Sequence, residues 1–339
     1  MHSSNTLPMP RSISIVTVCM NRREHLLEAT PRVARWSQHI EHLIVDWSSE
    51  QPLRRDELPD DPRIRLIRVT GEVRWNLCRA YNFGFDHARG DCLFKLDADA
   101  WPEAINEVLD PQSDAPLCWF GSGDSGRLGQ FLIDRQLLER VGGFNEHLWG
   151  YGFDDKDIKA RLQSHAGATI QFLPPEALGV IVHSIRHRAS RVHRHGHQDS
   201  PLERAHALSL KRATSLGNRV MAAFCPWSAH RARSRYRHDA QADTWSLELG
   251  TAPAAPSAVE AELVRLRRHH FWGHFLTIPE EVVMVLPVKL LPEEKCGDFC
   301  VRWWHRLYWH TLRRLLIAPV ALLGSLKGRR AQWQRWIGG

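Results

Sequence analysis

Two stretches of this 339-residue chain gather carboxylates at spacings that chemistry can use. In "LDADA", Asp97 and Asp99 follow directly on the apolar run Cys92–Leu96. Two carboxylates at the end of a strand can hold a hard divalent cation, which in turn neutralises a diphosphate. In "HLWGYGFDDKD" (His147–Asp157), glycines, aromatic rings and three aspartates fall within one short segment. Neighbouring carboxylates repel, so this is either an acidic solvated turn or a set of acids gathered to grip a ligand and move a proton. A D-x-D triplet alone says little, and Asp155-Lys156-Asp157 is a second one. What singles out Asp97 and Asp99 is their place after an apolar strand, the alternative there being a solvated turn.

The surrounding elements must position these acids. Ser12–Met20 is rich in β-branched residues and reads as a buried strand, His39–Trp47 as a second and Arg63–Val69 as a third. A helical pattern follows the first strand, with Pro31 expected to kink or split it. Trp75–Gly90 places Leu77, Tyr81, Phe85 and Ala88 on one side of a helix that stops at glycine, and Asp91–Ala100 is a strand running into acids. Strands alternating with helices predict an α/β fold built on a doubly wound, mostly parallel sheet. Ligands of such sheets bind beyond the carboxyl ends of the strands, where Asp46, Asp97 and Asp99 all fall.

Composition sets further bounds. "MHSSNTLPMPRS" has no apolar core, so no signal peptide is expected, and no apolar run is long enough for a membrane-spanning helix. Seven scattered cysteines predict reduced thiols and a cytoplasmic location; Cys296 and Cys300 form only a weak metal pattern. Residues 1–184 carry a net charge of −6 and residues 185–339 a net of +13, which predicts two parts with different tasks, the second facing something anionic.

Taken together and in order, "NRREHL", "WNLCRAYNFGF", "LDADA", "GGFNEHLWGYGFDDKDIKARL" and "HS" resemble the GT-A glycosyltransferases, family-2-like, with the galactosyltransferase-type motif W-G-x-G followed by acids. The resemblance covers roughly residues 12–184. It implies a metal-dependent inverting transfer of a hexose or N-acetylhexosamine from a nucleotide sugar, UDP above all, to a saccharide or lipid-linked saccharide. It implies that Asp97 and Asp99 bind the metal, Asp99 more directly, with His183 completing the site. Imidazole beside carboxylates suits Mn2+ better than Mg2+. It further implies donor contacts from Arg22, Asp46 and Trp75, and closure of a basic segment bearing Arg186, His187 and Arg188 over the diphosphate. On the acceptor side it implies a floor made by Trp149, Tyr151 and Gly152, with Asp154 binding an acceptor hydroxyl and Asp155 as the general base. Asp157 is expected to be structural. The chain departs from the family pattern at Phe153, where glycine is usual, and at Lys156, which interrupts the acids.

The division expected is a short N-terminal segment 1–11, a catalytic domain 12–200 (donor half to about residue 100, acceptor half after it) and a largely helical, basic, tryptophan-rich region 201–339. Residues 201–237 read as arginine-rich helix and Gly250–Ala258 as linker-like. Trp303, Trp304, Trp309, Trp333 and Trp336, with arginines around Leu315–Leu326, fit either a peripheral contact with the inner face of the cell membrane or a helical extension packed on the catalytic domain. No nucleic-acid module is recognised. The competing functions are a sugar nucleotidyltransferase, disfavoured by the lack of a glycine-rich loop after the first strand, and a catalytically silent glycan-binding scaffold.

Overall fold

The computed structural model describes residues 11–107, 116–123, 126–182 and 200–315. Its centre is a nine-stranded sheet. In chain order the strands are β1 (Ile13–Cys19), β2 (Glu41–Trp47), β3 (Ile64–Thr70), β4 (Cys92–Lys95), β6 (Cys118–Gly121), β7 (Phe131–Asp134), β8 (Gln171–Leu173), β10 (Tyr236–Asp239) and β11 (Thr244–Leu247). They lie side by side as β10-β11-β3-β2-β1-β4-β7-β6-β8. Five of the eight pairings are parallel; β7 runs antiparallel to β4 and β6, and β10 antiparallel to β11. The sheet is mostly parallel and of α/β type, as the alternation of strands and helices predicts. Every residue of β1 and β2 is buried, as parallel strands covered on both faces should be.

Helices α1 (Arg23–Arg35) and α2 (Leu77–His87) follow β1 and β3. Pro31 lies inside α1 without splitting it, and Thr30 Oγ1 donates to the Leu26 carbonyl at 2.7 Å in the same turn. In α2, Asn76 caps the N-terminus by accepting from the Arg79 amide at 2.9 Å, and Tyr81 and Phe85 enter the main core. Gly90 is required by packing: a Cβ there would sit 2.6 Å from the Ser14 amide nitrogen. The strand expected over Asp91–Ala100 ends at Lys95. The chain then turns through Asp97 and Asp99 into β5 (Ala100–Pro102), which pairs antiparallel with β9 (Leu178–Val180) in a small second sheet. Helices α3 (Arg135–Arg140) and α4 (Asp154–Ala166) complete the acceptor side.

The basic C-terminal region packs on this framework. Its helices are α5 (Pro201–Phe224), α6 (Ser257–Leu276), α7 (Glu280–Val285) and α8 (Trp303–His310). The helix expected over 201–237 stops at Phe224, because Pro226 follows and disfavours helical backbone at Cys225. The chain then forms the hairpin β10–β11, which extends the catalytic sheet at β3, with Trp245 opposite Val69. Ala255, in the linker-like stretch, packs against the main core. Phe271, Trp272, Phe275, Phe299 and Trp309 form a further core between the helices. Trp309 is therefore a packing residue, whereas Trp303 is 71% exposed; Trp333 and Trp336 lie outside the described residues. Among the described residues no helix is long and apolar enough to cross a membrane. Cys296 and Cys300 are exposed, the other five cysteines are buried, and all seven are free thiols.

Candidate active site

The donor end of the site grows from the carboxyl end of β4. Lys95, 1% exposed, reaches out of the core to place Nζ 2.7 Å from Asp97 Oδ1. The Tyr81 hydroxyl lies 2.9 Å from the same oxygen, and the Tyr81 ring sits under the ammonium at 4.4 Å. Gln130 closes the set: its Nε2 donates to Asp97 Oδ2 at 2.8 Å and its Oε1 accepts from the Asp97 amide at 2.8 Å. Both oxygens of Asp97 thus already accept hydrogen bonds. Asp99 is half-buried, and its backbone oxygen accepts from the Ile181 amide at 2.8 Å. That bond, with the β5–β9 pairing, brings the chain to Asp99 two residues before His183. His183 itself, Arg186 and the basic segment to residue 199 lie outside the described residues. Among the described residues no three His, Cys, Asp or Glu side chains form a metal-sized cluster.

Arg22, half-buried at the turn after β1, faces the same place. Burial pushes its guanidinium down to about 10, and the nearby Asp99 carboxylate pulls the other way. Asp46 is located differently from the expectation. It has no exposed surface; Oδ1 accepts from the Ser49 amide at 3.1 Å, Oδ2 from the Leu53 amide at 3.0 Å, and Arg68 pairs with it. A carboxylate with three donors and no exposed surface shapes the loop after β2. Trp75 is half-buried, with part of its ring against the core and part open.

The acceptor-side motif is built as a turn clamped from behind. Gly150 and Gly152 have φ of 72° and 110°, backbone regions in which a side chain is strained. A Cβ on Gly150 would meet Thr214 Cγ2 of α5 at 2.9 Å. Asn218 of α5, 2% exposed, donates to the carbonyls of Trp149 at 3.0 Å and Gly152 at 2.8 Å. Trp149 is flanked by cations, with the Arg267 guanidinium 3.8 Å and that of Arg74 5.0 Å from the ring centroid. Lys211 lies 4.9 Å from the Tyr151 ring. Phe153 adopts φ 75° immediately before α4, which explains why glycine suits that position; for a phenylalanine the left-handed backbone costs about 1–2 kcal/mol. Its ring recovers part of that by packing on the main core.

Asp154 and Asp155 open α4, where the helix dipole favours negative charge, and both are half-buried. The Asp154 carboxyl is nonetheless pushed up to about 6, by burial first and by Asp155 second; Lys95 opposes the shift and Asp97 adds to it. The Asp154 carboxyl therefore feels the charges of both Asp97 and Lys95. Asp155 Oδ1 accepts from the Lys156 amide at 2.9 Å. Asp157 is buried and pairs with Arg161 at 2.7 Å, whose guanidinium also donates to the Val141 and Gly143 carbonyls, so its role is structural as expected. Sequence reasoning missed Lys95, Tyr81 and Gln130. Only Lys95 left a signal, as a lone lysine inside an apolar strand.

The fold sets acids at a strand end and acids at a helix start, an arrangement able to hold a cation and to accept a proton. Residues 14–152 match the model of glycosyl transferase family 2, and residues 124–188 match that described as the N-terminal domain of galactosyltransferase. Curated relatives include beta-1,4-galactosyltransferase 4 of Rattus norvegicus and of Mus musculus, each 28% identical over 137 residues, which is 37% of this chain and 39% of theirs. The chain thus spans about two fifths of the length of these relatives. Similar solved structures include the Drosophila beta1,4galactosyltransferase 7 catalytic domain with xylobiose (16% identity, 74% of this chain and 98% of that one, TM-score 0.42). Another is a mannosyltransferase from Pyrobaculum calidifontis with GDP-Man and Mn2+ (16% identity, 92% and 87%, TM-score 0.45).

Proposed function

We propose that this chain transfers a hexose or N-acetylhexosamine, with inversion, from a UDP-sugar to a hydroxyl of a saccharide or lipid-linked saccharide. The observation that supports the reading most is that the Asp154 carboxyl at the start of α4 feels the charges of both Lys95 and Asp97 at the end of β4. The match of part of the chain to beta-1,4-galactosyltransferase 4 supports galactose as the sugar. A divalent metal, Mn2+ before Mg2+, would be held by Asp99 and His183 and would neutralise the diphosphate leaving group. Asp97, held by Lys95, Tyr81 and Gln130, keeps that strand end rigid, and Arg22 adds positive charge beside it.

On the other side of the reacting carbon, Asp155 accepts the proton of the acceptor hydroxyl as that oxygen attacks the anomeric carbon from the face opposite the diphosphate. Asp154 holds a neighbouring hydroxyl. Tyr151 offers a ring face to the apolar side of a sugar, and Gly152 lets the backbone come close. The working location is the cytoplasm, with peripheral contact to the inner membrane face; exposed Trp303 and Leu307, one helical turn apart on α8, support that contact. Titration of the full chain with UDP, with and without manganese, tests the reading. Manganese should raise UDP affinity at least about tenfold, a change equivalent to about 1.4 kcal/mol. UDP binding that is absent or indifferent to metal would end it.

A further inference from the structure

Beside the Trp149–Gly152 turn, α4 and α5 enclose a groove of about 570 Å³. Lys156, Lys211, Arg212, Arg219 and His270 line it, with no aspartate or glutamate among the lining residues. Helical periodicity explains the grouping: Lys211, Ser215 and Arg219 are spaced four apart and share one face of α5. A neighbouring face of the same helix carries Thr214 and Asn218, which hold the Gly150 and Gly152 turn, so the basic stripe and the acceptor floor are fixed to one rigid element. Ser215 forms the seam, lying 3.2 Å from where a Cβ on Gly152 would be.

Among the described residues no carboxylate pairs with Lys156, Arg212 or Arg219; Arg212 meets His274 instead, and His270 pairs with Glu280 at 2.9 Å. Burial and the charge of Arg212 push the His274 ring down. Basic side chains converging on one concavity repel unless an anion lies between them. Guanidinium and ammonium donors together suit phosphoryl oxygens. Lys156 is also the residue that interrupts the acids expected after W-G-x-G, so the departure from the family pattern and the basic groove are one feature.

We propose that this groove binds a phosphate or diphosphate carried by the acceptor, so that the sugar glycosylated is the one next to that group. The inference rests on the transferase reading for the word acceptor, but the groove's preference for a phosphoryl group can be measured independently. The test titrates the full chain with an alkyl diphosphate-linked N-acetylglucosamine, the matching monophosphate, an alkyl glucuronide and the neutral alkyl glycoside. The phosphorylated probes should bind at least about tenfold tighter than the neutral one, and the advantage should shrink at about 0.5 M salt. Lys156→Ala and Arg219→Ala should each erase at least about threefold of that advantage without lowering the unfolding midpoint. Equal affinity for phosphorylated and neutral probes would overturn the proposal, and so would tighter binding of the glucuronide, which would make the groove a carboxylate site. Phosphoryl binding that depends on Lys156 and Arg219 in a chain that fails to bind UDP would leave the groove standing and remove the transferase reading.

Discussion

The Lys95 ammonium, buried in the sheet, lies 2.7 Å from the Asp97 carboxylate and also lowers the proton affinity of Asp154 at the start of α4. Replacing it tests whether that single charge serves both halves. Lys95→Met should weaken UDP binding by loosening the Asp97 turn. It should also move Asp154 to a still higher pKa, because a favourable positive charge is gone. The acid limb of the pH–rate profile should shift upward. An unchanged limb with unchanged UDP affinity would show that Lys95 only fills space.

Asp154 gives a stability prediction with a defined sign. Its folded-state pKa, about 6, lies above the ordinary 3.8, so the folded protein holds this proton more tightly than the unfolded chain. Stability therefore falls as pH rises from about 4 to about 6, by up to about 3 kcal/mol. Asp154→Asn, which cannot ionise, should be more stable than the parent at pH 7.5 and lose that advantage at pH 4. Denaturant melts at the two pH values check it; an advantage of the same size at both would contradict the assignment.

Asn218 should matter to the acceptor motif from a distance. Asn218→Ala removes two donated bonds to the part-buried Trp149 and Gly152 carbonyls, at a cost of about 1–3 kcal/mol. Acceptor KM should rise while UDP affinity stays. Loss of both in proportion would mean a general collapse of the fold.

The two aspartates that flank Lys156 should separate cleanly. Asp157→Ala strands the buried Arg161 guanidinium and should cost about 3–5 kcal/mol of stability. Asp155→Asn should leave the unfolding midpoint within about a degree of the parent, a change typical of substitutions outside such networks.

Much of this was legible in the sequence, for identifiable reasons. The strands β1, β2 and β3 and helix α2 announce themselves by apolar runs and periodicity, and Asp154 at a helix start by the run of acids after glycines. The role of Asp46 was not legible, because a carboxylate at a strand end looks the same whether it faces a ligand or the backbone amides of Ser49 and Leu53. Nor was the C-terminal contribution, since Trp245 pairs with Val69 across 176 positions of sequence, and local pattern carries no record of so distant a partner. The basic stripe of α5 was visible as composition alone; its meeting with Lys156 appears only once α4 and α5 pack.

The membrane contact is a separate question. Trp303→Glu combined with Leu307→Glu should abolish co-sedimentation with vesicles rich in anionic lipid, because both side chains are exposed while Trp309 of the same helix is buried. Co-sedimentation that survives the double substitution would exclude this face of α8 as the contact.

The central claim is that Asp155 takes the proton of the acceptor hydroxyl. The direct measurement is sugar transfer by Asp155→Asn alongside its affinity for UDP in manganese. Transfer should fall at least about a hundredfold, the low end for loss of a general base, with UDP affinity within about twofold of the parent. Loss of UDP binding in the same variant would place Asp155 at the donor and contradict the account.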